Sequence, residues 1–152
     1  MIVSSNHHDH LSKWAERADD RVDHVNADFI CELRTLLRES VRDGGSRDVF
    51  QLYAEPKLTV QAIWLDGNQP FMLNGVDHSQ HGHVGPNGAR GSIAGFARTV
   101  YKLTKGHTHT PQIEKGVFQT GKCTGRLEYE QGYSTHSVSH CVQYPDGKRT
   151  LV

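Results

Sequence analysis

Residues 75–88 read GVDHSQHGHVGPNG, with His78, His81 and His83 inside six positions and a turn built from Gly85, Pro86, Asn87 and Gly88 behind them. How this stretch is read decides the fold, because a His-x-His pair on a strand is half of a metal site, whereas the same residues in a surface turn are nothing of the kind. Side chains alternate along a strand, so His81 and His83 face one way, about 7 Å apart along the chain, and His78 faces the other. One strand cannot surround an ion, so a third ligand has to come from elsewhere. The segment YSTHSVSHC, 133–141, offers His136 and His140 at an even offset and therefore on one face. Imidazoles suit zinc, iron, copper or nickel, whereas magnesium and calcium prefer oxygen ligands. The plain alternative places His81 and His83 at an exposed loop end and makes His136 an ordinary surface or core histidine.

The chain holds 11 histidines in 152 residues, and at that frequency a His-x-His pair arises by chance about once. Three occur: His8/His10, His81/His83 and His107/His109. The first falls where fraying is expected, and the third in the Gly/Thr/Pro stretch LTKGHTHTPQ, 103–112, so both are expected to be solvated.

Around these histidines the chain changes texture once. From 9 to 43, Leu11, Trp14, Ala18, Val22, Val25, Phe29, Leu33, Leu36 or Leu37 and Val41 recur every three or four residues, the period of an amphipathic helix. Asn26 and Asp28 can split it in two, and Gly44-Gly45 stops it. Beyond Gly45 come short Val, Ile, Phe, Tyr and Thr segments separated by Gly, Pro, Asn and Asp. They predict strands near 48–54, 57–65, 70–74, 77–84, 90–103 with a kink at Gly95, 112–119, 123–130, 135–143 and 148–152. The expected architecture is mainly β: an N-terminal helical segment, 1–45, packed on a jelly-roll core, 46–152.

Lysine plus arginine and aspartate plus glutamate stand at 17 each, so no basic surplus points to nucleic acid or to an anionic membrane. No apolar run of spanning length exists, and MIVSSNHHDH lacks the parts of a signal peptide. Cys31, Cys123 and Cys141 show no CxxC spacing, which argues for a reduced, cytoplasmic chain without a disulfide framework.

Gly75, the five residues VDHSQ, then His81, Gly82 and His83, with Gly88 and Gly95 beyond, resemble the first motif of the cupin superfamily. The motif's glutamate is missing, and His136-Ser-Val-Ser-His140 resembles the second motif of the cysteine dioxygenase-like thiol dioxygenases, with His140 in an asparagine's place. The strand GSIAGFARTVYKL also looks like the family's. The resemblance implies a cupin double-stranded β-helix and a mononuclear iron(II) on His81, His83 and His136, with His140 as an alternative ligand or a neighbour of one. Zinc, nickel or manganese would be the substitute metals.

The implied reaction oxidises a small thiol such as cysteine to a sulfinic acid with O2. Tyr129 and Tyr133 would hydrogen-bond the bound ligand and Arg98, or Arg90, would hold a substrate carboxylate; each of these residues also has an ordinary packing or solvent-facing reading. Two departures weigh on the substrate: FQLYAEPKLTVQAIWL carries no arginine, only Lys57, and beyond the second motif only Tyr144 stands near the place of the family's active-site tyrosine. The family's domains usually continue past that motif, so the resemblance leaves three expectations: a truncated version, a shortened relative with different chemistry, or a chain that completes its sheet with a partner through the edge of its last strand, KRTLV. A cupin isomerase, lyase or hydrolase using another metal, or a non-catalytic cupin that binds a small ligand, shares the same histidines.

Overall fold

The computed structural model describes residues 1–45 and 48–152. They form two compact units, Met1–Trp64 and Leu65–Val152. The domain boundary expected after residue 45 meets residues 46 and 47 and so lies outside the described residues.

The first unit opens with a short strand β1 (Ile2–Val3) and three helices, α1 (Asn6–Arg17), α2 (Ala27–Arg42) and α3 (Val49–Ala54). The long helical period does break at Asn26, and Gly44, in the left-handed region at φ 68°, follows the end of α2. Ala15, Leu33 and Val49 are fully buried, and Leu11, Trp14, Phe29, Leu36, Leu37 and Tyr53 pack around them. Arg34 ties α2 to the end of α1 by donating from Nε to Ala15 O at 2.8 Å and from Nη2 to Ala18 O, two carbonyls that α1 leaves unsatisfied. Val22 and Val25 lie in the connection between the helices, and with Val41 they are exposed, so they do not belong to the packed face that the period predicts.

The expected strand 48–54 is a helix. Asp48 accepts the Gln51 N–H at 2.6 Å, which caps a helix start, and the same carboxylate holds His8 Nδ1 at 3.0 Å. His8 also stacks on Phe50 with ring centres 4.5 Å apart, so this histidine, expected in a frayed terminus, is packed.

After β2 (Trp64–Leu65), the second unit is built on a mixed five-stranded sheet of order β3-β4-β5-β7-β6. Its strands are β3 (Met72–Leu73), β4 (Val76–Asp77), β5 (Leu103–Lys105), β6 (Gln112–Glu114) and β7 (Val117–Gln119). β3/β4 and β6/β7 are antiparallel hairpins, whereas β4/β5 and β5/β7 are parallel. Each hairpin closes through two residues at positive φ, Asn74-Gly75 (49° and 76°) and Lys115-Gly116 (45° and 87°), the geometry that suits the twist of paired strands. The run 112–119 is therefore two strands and not one.

A single-turn helix, α4 (Ile93–Phe96), capped by Ser92, lies where a long strand 90–103 was expected. Ile93 and Phe96 pack on Leu103 and Val117 and form the core of this unit. A two-stranded ribbon, β8 (Cys141–Gln143) with β9 (Arg149–Leu151), completes the order. Arg149 docks this ribbon on the sheet by donating to Leu103 O and Gly116 O, both at 2.6 Å, above the Phe118 ring.

The chain is thus mixed α/β, with 29% helix against 18% strand. The expected β segments are present in part, but Asp48 and Ser92 cap helices inside two of them, and residues 123–130 form no strand. Among the described residues no helix is long and apolar enough to cross a membrane.

Leu33→Ala, at a site with 0% exposure, is expected to lower unfolding stability by about 2–5 kcal/mol in a denaturant titration. Val41→Ala, at a site 76% exposed, should stay within about 0.5 kcal/mol of the parent.

Candidate functional site

The second unit gathers its histidines on loops that leave the parallel strands. Asp77 at the end of β4 is buried, and its Oδ1 accepts the backbone N–H of Ser79 at 2.9 Å and of Phe71 at 3.0 Å, which sets the direction of the following loop. His78 turns aside and donates from Nε2 to Gln143 Oε1 at 2.7 Å. His81 and His83 lie side by side with ring centres 5.5 Å apart, although they sit in a loop and not on the expected strand 77–84.

Between them Gly82 stands at φ 101°, which favours glycine. Its backbone conformation is left-handed, and a Cβ there would collide with Cε of Lys105.

Lys105 ends β5 and is only 2% exposed. Its ammonium donates to Gln119 Oε1 at 2.6 Å, across the parallel register pair Lys105/Gln119, and to Gly106 O at 3.1 Å. No carboxylate partners it among the described residues, and burial pulls its pKa down to about 8. Gln119 in turn donates to Thr110 O at 2.7 Å, and Gly106 N–H donates to His81 O at 3.0 Å. These bonds fasten both ends of the loop 106–110.

That loop does what the sequence does not announce. His107 and His109 both occupy the left-handed region, at φ 78° and 60°, a conformation uncommon for residues other than glycine and concentrated at functional sites. His107 meets the first pair, with ring centres 5.3 Å from His81 and 6.1 Å from His83. Its pKa is lowered, first by burial and then by the charges of His83, Lys105, His109 and Arg90, so the neutral imidazole is favoured there.

His109 goes to a second group. Its ring lies 5.2 Å from that of His136, edge to face, and Tyr129 Oη is 3.2 Å from its Nδ1. His136 Nδ1 lies 2.9 Å from Glu130 Oε1, and Lys122 Nζ reaches the same oxygen. The Lys122 and His136 hydrogen bonds hold the Glu130 carboxyl down to about 2.

The histidines singled out from the sequence are therefore divided. His81 and His83 are joined by His107, and His136 is joined by His109, Glu130 and Lys122. His140 is exposed and pairs its backbone with Val152 at 2.8 and 2.9 Å. Tyr133 is exposed beside His136, and Arg98 is exposed just beyond α4.

Lys105, His107 and Glu130 are the residues that sequence reasoning missed as site members. The available signal was the Lys-Gly-His-Thr-His run itself, a polar stretch entered directly from a buried strand. Among the described residues three buried side-chain polar atoms have no hydrogen-bond partner, Trp64 Nε1, His83 Nδ1 and Thr108 Oγ1, and the last two adjoin this loop system. Among the described residues no three His, Cys, Asp or Glu side chains converge tightly enough to hold an ion as they stand.

No family model matches the chain, and no solved structure matches it. It is similar to Protein A1 of Escherichia phage T5, 35% identical over 161 aligned positions that take in the whole of this chain and 28% of that protein. The chain thus spans little more than a quarter of the length of this curated relative.

The depressed Lys105 pKa sets a pH dependence with a definite sign. Between about 8 and the ordinary 10.5 the unfolded chain holds a proton that the folded chain has released, so unfolding free energy rises with pH through that window. Denaturant titrations at stepped pH are expected to show this rise in the native chain and its absence in Lys105→Met.

Proposed function

We propose that His81, His83 and His107 form an imidazole site for one divalent transition-metal ion, and that the chain contributes it to a metal-dependent hydrolase acting on an anionic substrate. The observation that carries this reading is the meeting of three imidazoles from two loops, with His83 Nδ1 buried and unpartnered among them. Imidazole nitrogens about 2.0–2.1 Å from a tetrahedral ion put ring centres on the order of 5 Å apart. The observed 5.3–6.1 Å needs only a small inward movement of the rings. Zinc, nickel, manganese or iron fits such donors better than magnesium or calcium.

A bound divalent ion supplies Lewis acidity and lowers the pKa of water. The rest falls to the protein's own groups. His107 is kept neutral and so able to donate a lone pair. Lys105 lies beneath Gly82 with no carboxylate partner, and Arg90 adds its charge near His107, so the surroundings favour an anion over a cation. A lysine whose pKa is about 8 holds or releases its proton close to neutral pH, the range useful for general acid-base work.

A second reading keeps the metal and changes the chemistry: a cupin-like iron thiol dioxygenase on a jelly roll, using His81, His83 and His136, with Tyr129, Tyr133 and Arg98 about the substrate. Its support is the all-imidazole donor set and the motif resemblance. It ranks second because His136 keeps company with His109 and Glu130, and because the sheet is mixed and partly parallel.

Elemental analysis after anaerobic reconstitution with Fe2+, Zn2+, Mn2+ or Ni2+ separates the two. On our reading about one ion binds per chain, His107→Ala abolishes it and His136→Ala retains it. Metal-dependent cleavage of bis(p-nitrophenyl) phosphate should fall at least about 100-fold in His107→Ala, the upper end of what loss of a ligand's own partner costs. Full metal content in His107→Ala would sink the proposal, and loss of metal in His136→Ala together with cysteine-dependent oxygen uptake would install the dioxygenase in its place.

A further inference from the structure

The second group of polar residues lines a solvent-open cavity of about 410 Å3 whose walls include Lys122, Arg126, Glu130, Tyr133, Ser134 and His136. Its electrostatics are set by one carboxylate. The Glu130 side chain is 5% exposed and Lys122 7%, so this ion pair is withdrawn from water and its charges cancel locally.

An ionised carboxylate can only accept, so His136 Nδ1 must be the donor, and Nε2 is left to the cavity that His136 lines, where in the neutral ring it accepts a hydrogen bond. Ser134 Oγ accepts the His136 backbone N–H at 3.1 Å, which leaves its own proton to donate. Arg126 donates from Nη2 to Glu130 O at 3.1 Å and has no carboxylate partner among the described residues. What the cavity presents is one uncompensated guanidinium, an oriented imidazole and hydroxyl donors.

A metal ion is a poor occupant. Among the described residues that line the cavity, the one carboxylate that could balance it, Glu130, is already paired with Lys122, and the Arg126 charge would repel it. The arrangement instead matches an oxyanion, which a guanidinium fork and charge-assisted donors recognise best.

We propose that this cavity is a binding site for a phosphate group of a small soluble molecule, its oxygens held by Arg126 and the Ser134 hydroxyl and its P–OH donating to His136 Nε2, with Glu130 and Lys122 as positioning residues. It is separate from the His81/His83/His107 group and does not rest on the metal reading.

Inorganic phosphate is the probe, titrated by calorimetry into the full chain carrying His81→Ala and His107→Ala, so that the proposed metal site takes no part. Saturable binding is expected, together with a phosphate-dependent shift of the His136 side-chain nitrogen resonances. Arg126→Ala, at an exposed position, should weaken binding at least about tenfold, as loss of one charge-assisted contact does. His136→Asn should weaken it similarly. Glu130→Gln frees Lys122 and unfixes the imidazole, and should move the His136 resonances even before phosphate is added. No binding, binding indifferent to Arg126→Ala, or binding only to anionic lipid vesicles would overturn the proposal.

Discussion

A lysine ammonium buried with no counter-ion among the described residues is the constraint on which the second unit turns. Keeping Lys105 protonated away from water costs a few kcal/mol and shows as its lowered pKa, so its surroundings must return hydrogen bonds for it. They come from Gln119, its partner in the parallel β5/β7 ladder, and from the Gly106 carbonyl. The bond to Gln119 requires that register. The side chain passes close under Gly82, and the Gln119 amide, once aimed at Lys105, has its nitrogen free to anchor Thr110. This one side chain thus links the parallel pairing, the approach of the two histidine loops and the fixed ends of the loop between β5 and β6.

The loop so fixed, 106–110, must place two histidines in five residues. Both adopt left-handed backbone, and their rings join different neighbours, His107 with His81 and His83, His109 with His136 and Tyr129. The two groups differ in charge character. The first has three imidazoles beside a lone buried ammonium, the second has a carboxylate already satisfied by a lysine and a histidine. One short segment thus serves two chemically distinct places, and a change in its backbone would be felt in both.

Much of the local structure was legible. The helical period, its break at Asn26 and the Gly44 stop are written in residue types whose preferences act within a turn or two, and Asn74-Gly75 is a hairpin signal of the same kind. Short apolar runs were misread where a cap intervened: Asp48 and Ser92 each accept an N–H three residues on and convert an expected strand into a helix. Lys115-Gly116 was read through because lysine seldom takes positive φ, and only pairing of β6 with β7 holds it there. His81 and His83 are neighbours, though by a turn at Gly82 and not by strand alternation.

The sequence by itself determined the amphipathic helices, the turns and the histidine content, because these depend on residue type and on spacing of a few positions. The tertiary structure alone decided which histidines meet. His107 lies 24 positions from His83 and reaches it only because β4 and β5 run parallel and bring their following loops to the same end of the sheet. It likewise decided that His136 belongs with Glu130, since a carboxylate six residues away becomes a partner only when the chain between them turns back. Parallel pairing and long-range ion pairing join residues that no local pattern connects, and the candidate site is made of both.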